Sequence, residues 1–185
     1  LDAIEAKAEE VLARVPSWLW YGELLPVPVE EIADTCFGLL VRDVEDMRAA
    51  PGAPVVDSAH ALSGLLLTGR GEIWVNAAEA REWPPRRRFT IGHELCHWVL
   101  HRASETSVFC RHVVYGADTA RPRPPAAEDE ANRFAAALLM PARLLRHEYT
   151  RDRAFGRLCE VFDASGAAMG RRLHAVIPRG EHVTS

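Results

Sequence analysis

The sequence predicts an α+β fold, mainly helical. A small three-stranded sheet precedes a buried, chemistry-bearing helix, and a helical, helix-turn-helix-like subregion closes the chain. Three observations predict it. Apolar residues recur at helical spacing through residues 2–15, 29–37 and 128–140. Short apolar runs at 39–44, 62–68 and 72–76 read as strands, and Gly69-Arg70-Gly71 between the last two is a hairpin signal. The segment Arg88-Phe89-Thr90-Ile91-Gly92-His93-Glu94-Leu95-Cys96-His97-Trp98-Val99-Leu100-His101 sets a His-Glu-x-x-His motif inside an apolar helix.

Taken in order, the first helix carries Ile4, Ala8, Val11, Leu12 and Val15 on one stripe, and Pro16 ends it. An aromatic, proline-bearing connection leads to a short helix at 29–37, which Gly38 stops before the strand Leu39–Val44. A Pro/Gly loop covers 48–59, and the hairpin strands follow. Residues 78–83 add a helical turn before Pro84-Pro85. Arg86, Arg87 and Arg88 then precede the motif helix, a charge run expected on a solvated face. Residues 102–127 are the least regular stretch, expected to edge the substrate cleft. A helix from Glu128 has acidic residues in its first turn and is stopped by Pro141. Short helices at 142–149, 154–162 and 165–174 complete the chain, with Ser165 as an N-cap. The expected organisation is a core over 1–141 and a helical subregion over 142–185 packed on the same domain.

The 185 residues suffice for a sizeable core, and 48% hydrophobic with 26% charged residues is a soluble globular composition. No apolar run approaches the roughly 20 residues of a membrane span. The net charge of −4 gives no general electrostatic attraction for nucleic acid, so a protein or peptide partner is expected. Cys36, Cys96, Cys110 and Cys159 are widely spaced with no Cys-x-x-Cys pair, which argues against a cysteine zinc site or redox motif. Three of them sit in apolar helical contexts and read as buried free thiols. With no signal-peptide pattern after Leu1, the expected setting is reducing and cytoplasmic.

The motif carries the chemistry. His93 and His97 are one helical turn apart, so both imidazoles share a face and can share one Zn²⁺. Glu94 stands beside the first of them, where a carboxylate can act on a water. Polar groups in a buried helix need partners, and a metal supplies one. A catalytic zinc takes three protein ligands, so a third donor is required. Glu130, one turn before Phe134 at the edge of the buried stripe, is the first choice. Glu128, on the stripe through Ala131 and Ala135, is the reserve. His101 continues the histidine stripe, but it lies roughly 12 Å along the axis from His93, too far for one ion to bridge.

The motif helix, followed about thirty residues later by Glu130-Ala131-Asn132-Arg133-Phe134-Ala135-Ala136-Ala137-Leu138-Leu139-Met140-Pro141, resembles the ImmA/IrrE family of zinc metallopeptidases. Pro26–Ala33 is similar to that family's N-terminal helix entry, and Leu62–Leu67 with Ile73–Asn76 to its hairpin. Cys96 and Trp98 depart from the smaller or aliphatic residues common there. The resemblance implies a zincin-like domain and a zinc endopeptidase, often one that cleaves a helix-turn-helix repressor and so switches on stress or mobile-element genes. It implies His93, His97 and Glu130 as ligands and Glu94 as the base. An oxyanion helper is expected too, and Tyr115 and His112 are the donors in the intervening loop. Two other readings remain in view: a non-catalytic module that sequesters a repressor, and a DNA-binding regulator acting through residues 155–174 with Arg171 and Arg172.

Overall fold

The structure is a computed structural model. It describes residues 2–52, 60–101, 108–114 and 126–177, with the side chains of 60, 61 and 108–114 outside the description. Helix α1 (Ala3–Ala13) starts where the Asp2 carboxylate accepts the Ile4 N–H, and it buries Ala8 and Val11. Helix α2 (Val29–Phe37) ends at Gly38, whose φ of 65° is the left-handed conformation that glycine adopts without strain. The Leu39 N–H folds back to the Ala33 carbonyl at 3.0 Å, and the chain enters β1 (Leu40–Val44).

The three expected strands are present. Strands β2 (His60–Leu67) and β3 (Glu72–Asn76) form the antiparallel hairpin, and β1 joins β3 in parallel. A fourth strand, β4 (Val108–Val114), pairs antiparallel with β2 and gives the order β1-β3-β2-β4. It falls in the stretch read as irregular. Arg111-His112 interrupts its apolar run, and its partner lies on the far side of the motif helix, so no local signal marks it.

The β2–β4 register slips at a bulge between Leu62 and Gly64. One extra residue re-phases the alternation of side chains. Leu62 therefore joins Leu65, Leu67 and Trp74 in the cluster over Met47 and Ala50, while Gly64 and Leu66 face the helices. Asn76 launches α3 (Ala77–Glu82): its Oδ1 accepts from the Ala78 and Glu79 N–H groups, and its Nδ2 donates to the Leu62 carbonyl at 3.1 Å.

Helix α4 (Pro84–Cys96) has proline in its first turn, where no backbone donor is needed. Arg86, Arg87 and Arg88 lie in its opening turns rather than before it, and they are struts rather than a solvated face. Arg86 Nε is 3.3 Å from Glu79 of α3. Arg87 donates to Asp43 of β1 at 2.8 Å and to Glu30 of α2 at 3.1 Å. Arg88 donates to the Val27 carbonyl at 2.7 Å and lies 3.3 Å from Asp163. Carboxylates from surrounding elements thus pin the start of the helix.

Helices α5 (Ala126–Leu139), α6 (Ala142–Arg151), α7 (Phe155–Phe162) and α8 (Gly166–Val176) follow. One cluster of buried side chains runs from Ala8 to Ile177 and takes residues from every helix except the first turns of α4. Ser165 caps α8 by accepting the Ala168 N–H. Among the described residues, no helix is long and apolar enough to cross a membrane.

Arg172 is not available to a nucleic acid. It is buried, donates to Glu5 at 2.6 Å and to the Met140 carbonyl at 2.9 Å, and so ties α8 to α1 and to the end of α5. Replacing it by alanine should destabilise the protein by about 3 kcal/mol, the low end for breaking a buried pair, because Glu5 keeps some contact with water. Urea unfolding measures this, and an unchanged midpoint would show that the pair carries no stability.

Candidate metal centre

Every residue of α4 from Thr90 to Cys96 is buried. Its polar groups therefore face protein: His93 is 1% exposed, and Glu94 and His97 are 0% exposed. After Cys96 the helix widens into a single π turn, His97–His101, a departure frequent at functional sites.

Helix α5 lies close against α4. A Cβ placed on Gly92 would sit 3.4 Å from the Ala135 Cβ and 3.5 Å from its Cα, already van der Waals contact, so the crossing has room for a methyl and little more. Ala131 and Glu128 extend the Ala135 stripe by one and two helical turns towards the N-terminus. Gly92 meets Ala135 while the later His97 meets the earlier Glu128, so the helices run antiparallel here.

That docking brings three donor atoms together. His93 Nε2 and His97 Nε2 are 3.2 Å apart, and each is 3.2 Å from one oxygen of Glu128. Three corners of a tetrahedron with bonds of about 2 Å would stand about 3.3 Å apart, and two imidazoles with a carboxylate are ordinary zinc donors. The residues fit the ion by spacing and by chemistry. Among the described residues, His93, His97 and Glu128 are the group that could hold a metal ion.

Glu130, expected as the third ligand, lies elsewhere. Two residues along a helix is roughly 200° around it, so Glu130 leaves the stripe that faces α4. Its carboxylate is 3.0 Å from His101 Nε2, and His101 Nδ1 is 3.0 Å from His97 Nδ1. His101 stands outside the donor group, as the axial distance requires, yet it touches a member of it. On the other side, Asn132 Oδ1 is 3.2 Å from His93 Nδ1, a contact that sequence reasoning missed. Its signal was position: Asn132 is one turn after Glu128 on α5.

Burial pushes the Glu128 carboxyl up, but hydrogen bonds from His93 and His97 outweigh it and hold the group below the usual carboxylate range. Glu128 is thus an anionic donor. Burial pushes the neighbouring Cys96 thiol up, which keeps it protonated and out of metal binding. Cys36, Cys96 and Cys159 are free thiols.

Glu94 points towards the sheet. A Cβ on Gly64 would be 2.7 Å from Glu94 Oε1 and 2.4 Å from Thr90 Cγ2, so glycine at the bulge leaves the space that the carboxylate fills. His112 lies in β4 next to the bulge, in register with Leu62. The His112 side chain and the whole of Tyr115 are outside the described residues.

A buried His-Glu-x-x-His helix, set on a small sheet and crossed by a helix that adds a glutamate, defines a metallopeptidase-like protein. Residues 45–174 match the model of the IrrE N-terminal-like domain, a peptidase family, and the chain belongs to that family. No curated protein matches it significantly.

Gly64→Ala should destabilise the protein by about 1–3 kcal/mol through overpacking against Thr90 and Glu94. Gly69→Ala is the control, since a Cβ there meets nothing within 4 Å. Denaturant unfolding of both variants should separate them, and equal midpoints would remove the steric role assigned to Gly64.

Proposed function

We propose that this chain is a zinc-dependent endopeptidase that cuts a regulatory protein, with a helix-turn-helix transcriptional repressor as the substrate that the family resemblance suggests. The observation that carries the reading is the triangle of donor atoms from His93, His97 and Glu128 on the helix that also buries Glu94. In this reading those three residues hold the ion, and Glu94 is the general base. When bound, zinc supplies a Lewis acid that polarises a carbonyl and lowers the pKa of water towards about 7.

The chain's own residues do the rest. Glu94 takes a proton from the attacking water as the new C–O bond forms, then delivers it to the leaving amine as the C–N bond breaks. Its burial keeps bulk water from competing for that proton. The internal pairing of Arg172 and the net charge of −4 support a protein partner over DNA.

Purified protein should carry about one zinc per chain, which is the capacity of one three-donor site. His93→Ala should lose it, and Glu128→Gln should weaken binding more than Glu130→Gln. Elemental analysis with chelator competition reads the ranking, and its reversal would return the third-ligand role to Glu130. Glu94→Gln should keep both fold and zinc, yet lose about 10²–10⁴-fold in cleavage, the usual worth of positioned proton transfer. Mass spectrometry of a candidate repressor incubated with each protein checks it. A variant that cuts as fast as wild type removes Glu94 from the chemistry. Binding without cutting by both proteins would favour the sequestering module instead.

A further inference from the structure

We infer that a cavity between the start of α4 and α8 is a docking site for an acidic peptide segment of the protein partner, one in which carboxylates flank a large apolar side chain. The inference rests on the peptidase reading only in naming that partner as the protein to be cut. The cavity measures about 460 Å³ and contains none of the donor residues. It is lined by Trp83, Arg86 and Phe89 at the start of α4 and by Ala167, Ala168 and Arg171 of α8. Ordinary binding pockets hold roughly 300–1,000 Å³. Its lining is mostly apolar, yet it includes two arginines and, among the described residues, no carboxylate. In a chain of net charge −4 that is a local reversal of sign. The two cations differ. Arg86 is answered by Glu79, 3.3 Å from its Nε, and lies over the Trp83 ring at 5.8 Å. Arg171 is exposed and has no ion-pair partner among the described residues, so its charge is open to an incoming anion.

The surroundings favour a protein segment over a small anion. Trp83 is 42% exposed and Phe155 is 47% exposed, both large apolar side chains left in water. Trp83 is part of the wall. A Cβ on Gly166 would meet the Phe155 ring at 3.5 Å, so that ring stands beside Ala167 of the lining. Apolar surface thus continues outside the cavity, where a small ligand would leave it wet and a peptide would cover it. The walls are also pre-formed. Arg87 and Arg88 fix the opening turns of α4, and buried Arg172, next to Arg171, ties α8 to Glu5 and the Met140 carbonyl. Little ordering of the walls therefore opposes binding. Position on α4 links the cavity to the metal centre. Arg86 and Phe89 precede His93 by seven and four residues, which puts all three on one face of the helix. They lie within roughly 10 Å of His93 along the axis. About three residues of extended chain span that length, so docking and cutting can act on one partner.

The test uses the full chain and a display library of random peptides. Selection on wild type, with binders of Arg171→Glu removed, should enrich peptides in which Asp or Glu neighbours Trp, Phe or Leu. One enriched peptide is then synthesised and its affinity measured by fluorescence anisotropy. Arg171→Glu should weaken binding about tenfold or more, the strength of one charged hydrogen bond. Ala167→Leu, which fills the cavity from an exposed position without changing charge, should also weaken it. Arg146→Glu makes the same charge change at an exposed arginine of α6 and should leave affinity unchanged. Added salt should weaken binding. Thermal unfolding confirms that all three variants fold. A library that yields nothing, enriched peptides without acidic residues, or an affinity that Arg171→Glu and Ala167→Leu leave as in wild type would overturn the docking site. Equal losses in Arg146→Glu and Arg171→Glu would overturn it too, since the effect would then be one of net charge. A DNA duplex that binds wild type and not Arg171→Glu, with no peptide selected, would assign the surface to nucleic acid instead. Chelation of zinc, or His93→Ala, should leave peptide affinity unchanged. Loss of binding there would place the peptide at the metal centre and overturn the site. If the peptide binds as expected while wild type holds no zinc, the docking site stands and the peptidase reading falls.

Discussion

The close antiparallel contact of α4 and α5 is the constraint on which the site depends. Gly92 has no side chain and Ala135 has only a methyl, so the two backbones approach until a single added carbon would touch. From that crossing point the stripe Ala135, Ala131, Glu128 runs back along α5 while His93 and His97 run forward along α4. The two stripes converge, and a glutamate side chain spans the remaining gap. A wider crossing would leave Glu128 in solvent and the two imidazoles buried against each other. The apolar side chains of Phe134, Leu138 and Leu139 hold the pair of helices to the common core, so their burial is what sustains the polar contact.

A buried helix that carries a carboxylate must also be held from its other sides. The sheet does this through the bulge at Leu62/Gly64, which turns a glycine rather than a leucine towards Thr90 and Glu94. The N-terminal turns do it through the three arginines, each paired with a carboxylate on a different element. Buried Glu79 shows how tightly the two devices are joined. Its carboxylate accepts from Ser63 Oγ, inside the bulge, at 3.1 Å and faces Arg86 at 3.3 Å. The bulge and the arginine run are therefore one support seen from its two ends.

Much of this was legible in the sequence, for physical reasons. Helices with a strong apolar stripe and a defined stop, such as α2 before Gly38 and α5 before Pro141, follow from local rules. The hairpin follows from the glycines at its turn, and the histidine pair from a spacing that one helical turn enforces. What escaped was set by tertiary contact. Strand β4 forms because β2 offers an edge, and nothing within its own residues announces this. The choice between Glu130 and Glu128 turned on which line of α5 faces α4. Phe134 drew attention to one line, but Phe134 marks the deep core, whereas the small residues Ala131 and Ala135 mark the close approach. Small residues on a stripe were the overlooked signal. The arginine run was misread for a similar reason: its carboxylate partners come from four other elements, and Glu30, Asp43 and Asp163 among them are distant in sequence.

The histidine row shows how one geometric fact has two consequences. Successive residues at a spacing of four climb the axis by about 6 Å, so a single ion reaches two imidazoles and no third. Yet an imidazole has nitrogens on two sides of its ring, and the one not facing the ion faces the next turn. The ring centroids of His93 and His97 are 5.0 Å apart, and those of His97 and His101 are 5.2 Å apart, nearly the same step. The first step closes on the site and the second leads away from it towards Glu130. The π turn begins at the residue where these two roles divide, and the wider backbone there carries His101 while its Nδ1 remains within 3.0 Å of His97. The axial step that keeps His101 out of the donor triangle thus also sets it against the far side of the His97 ring.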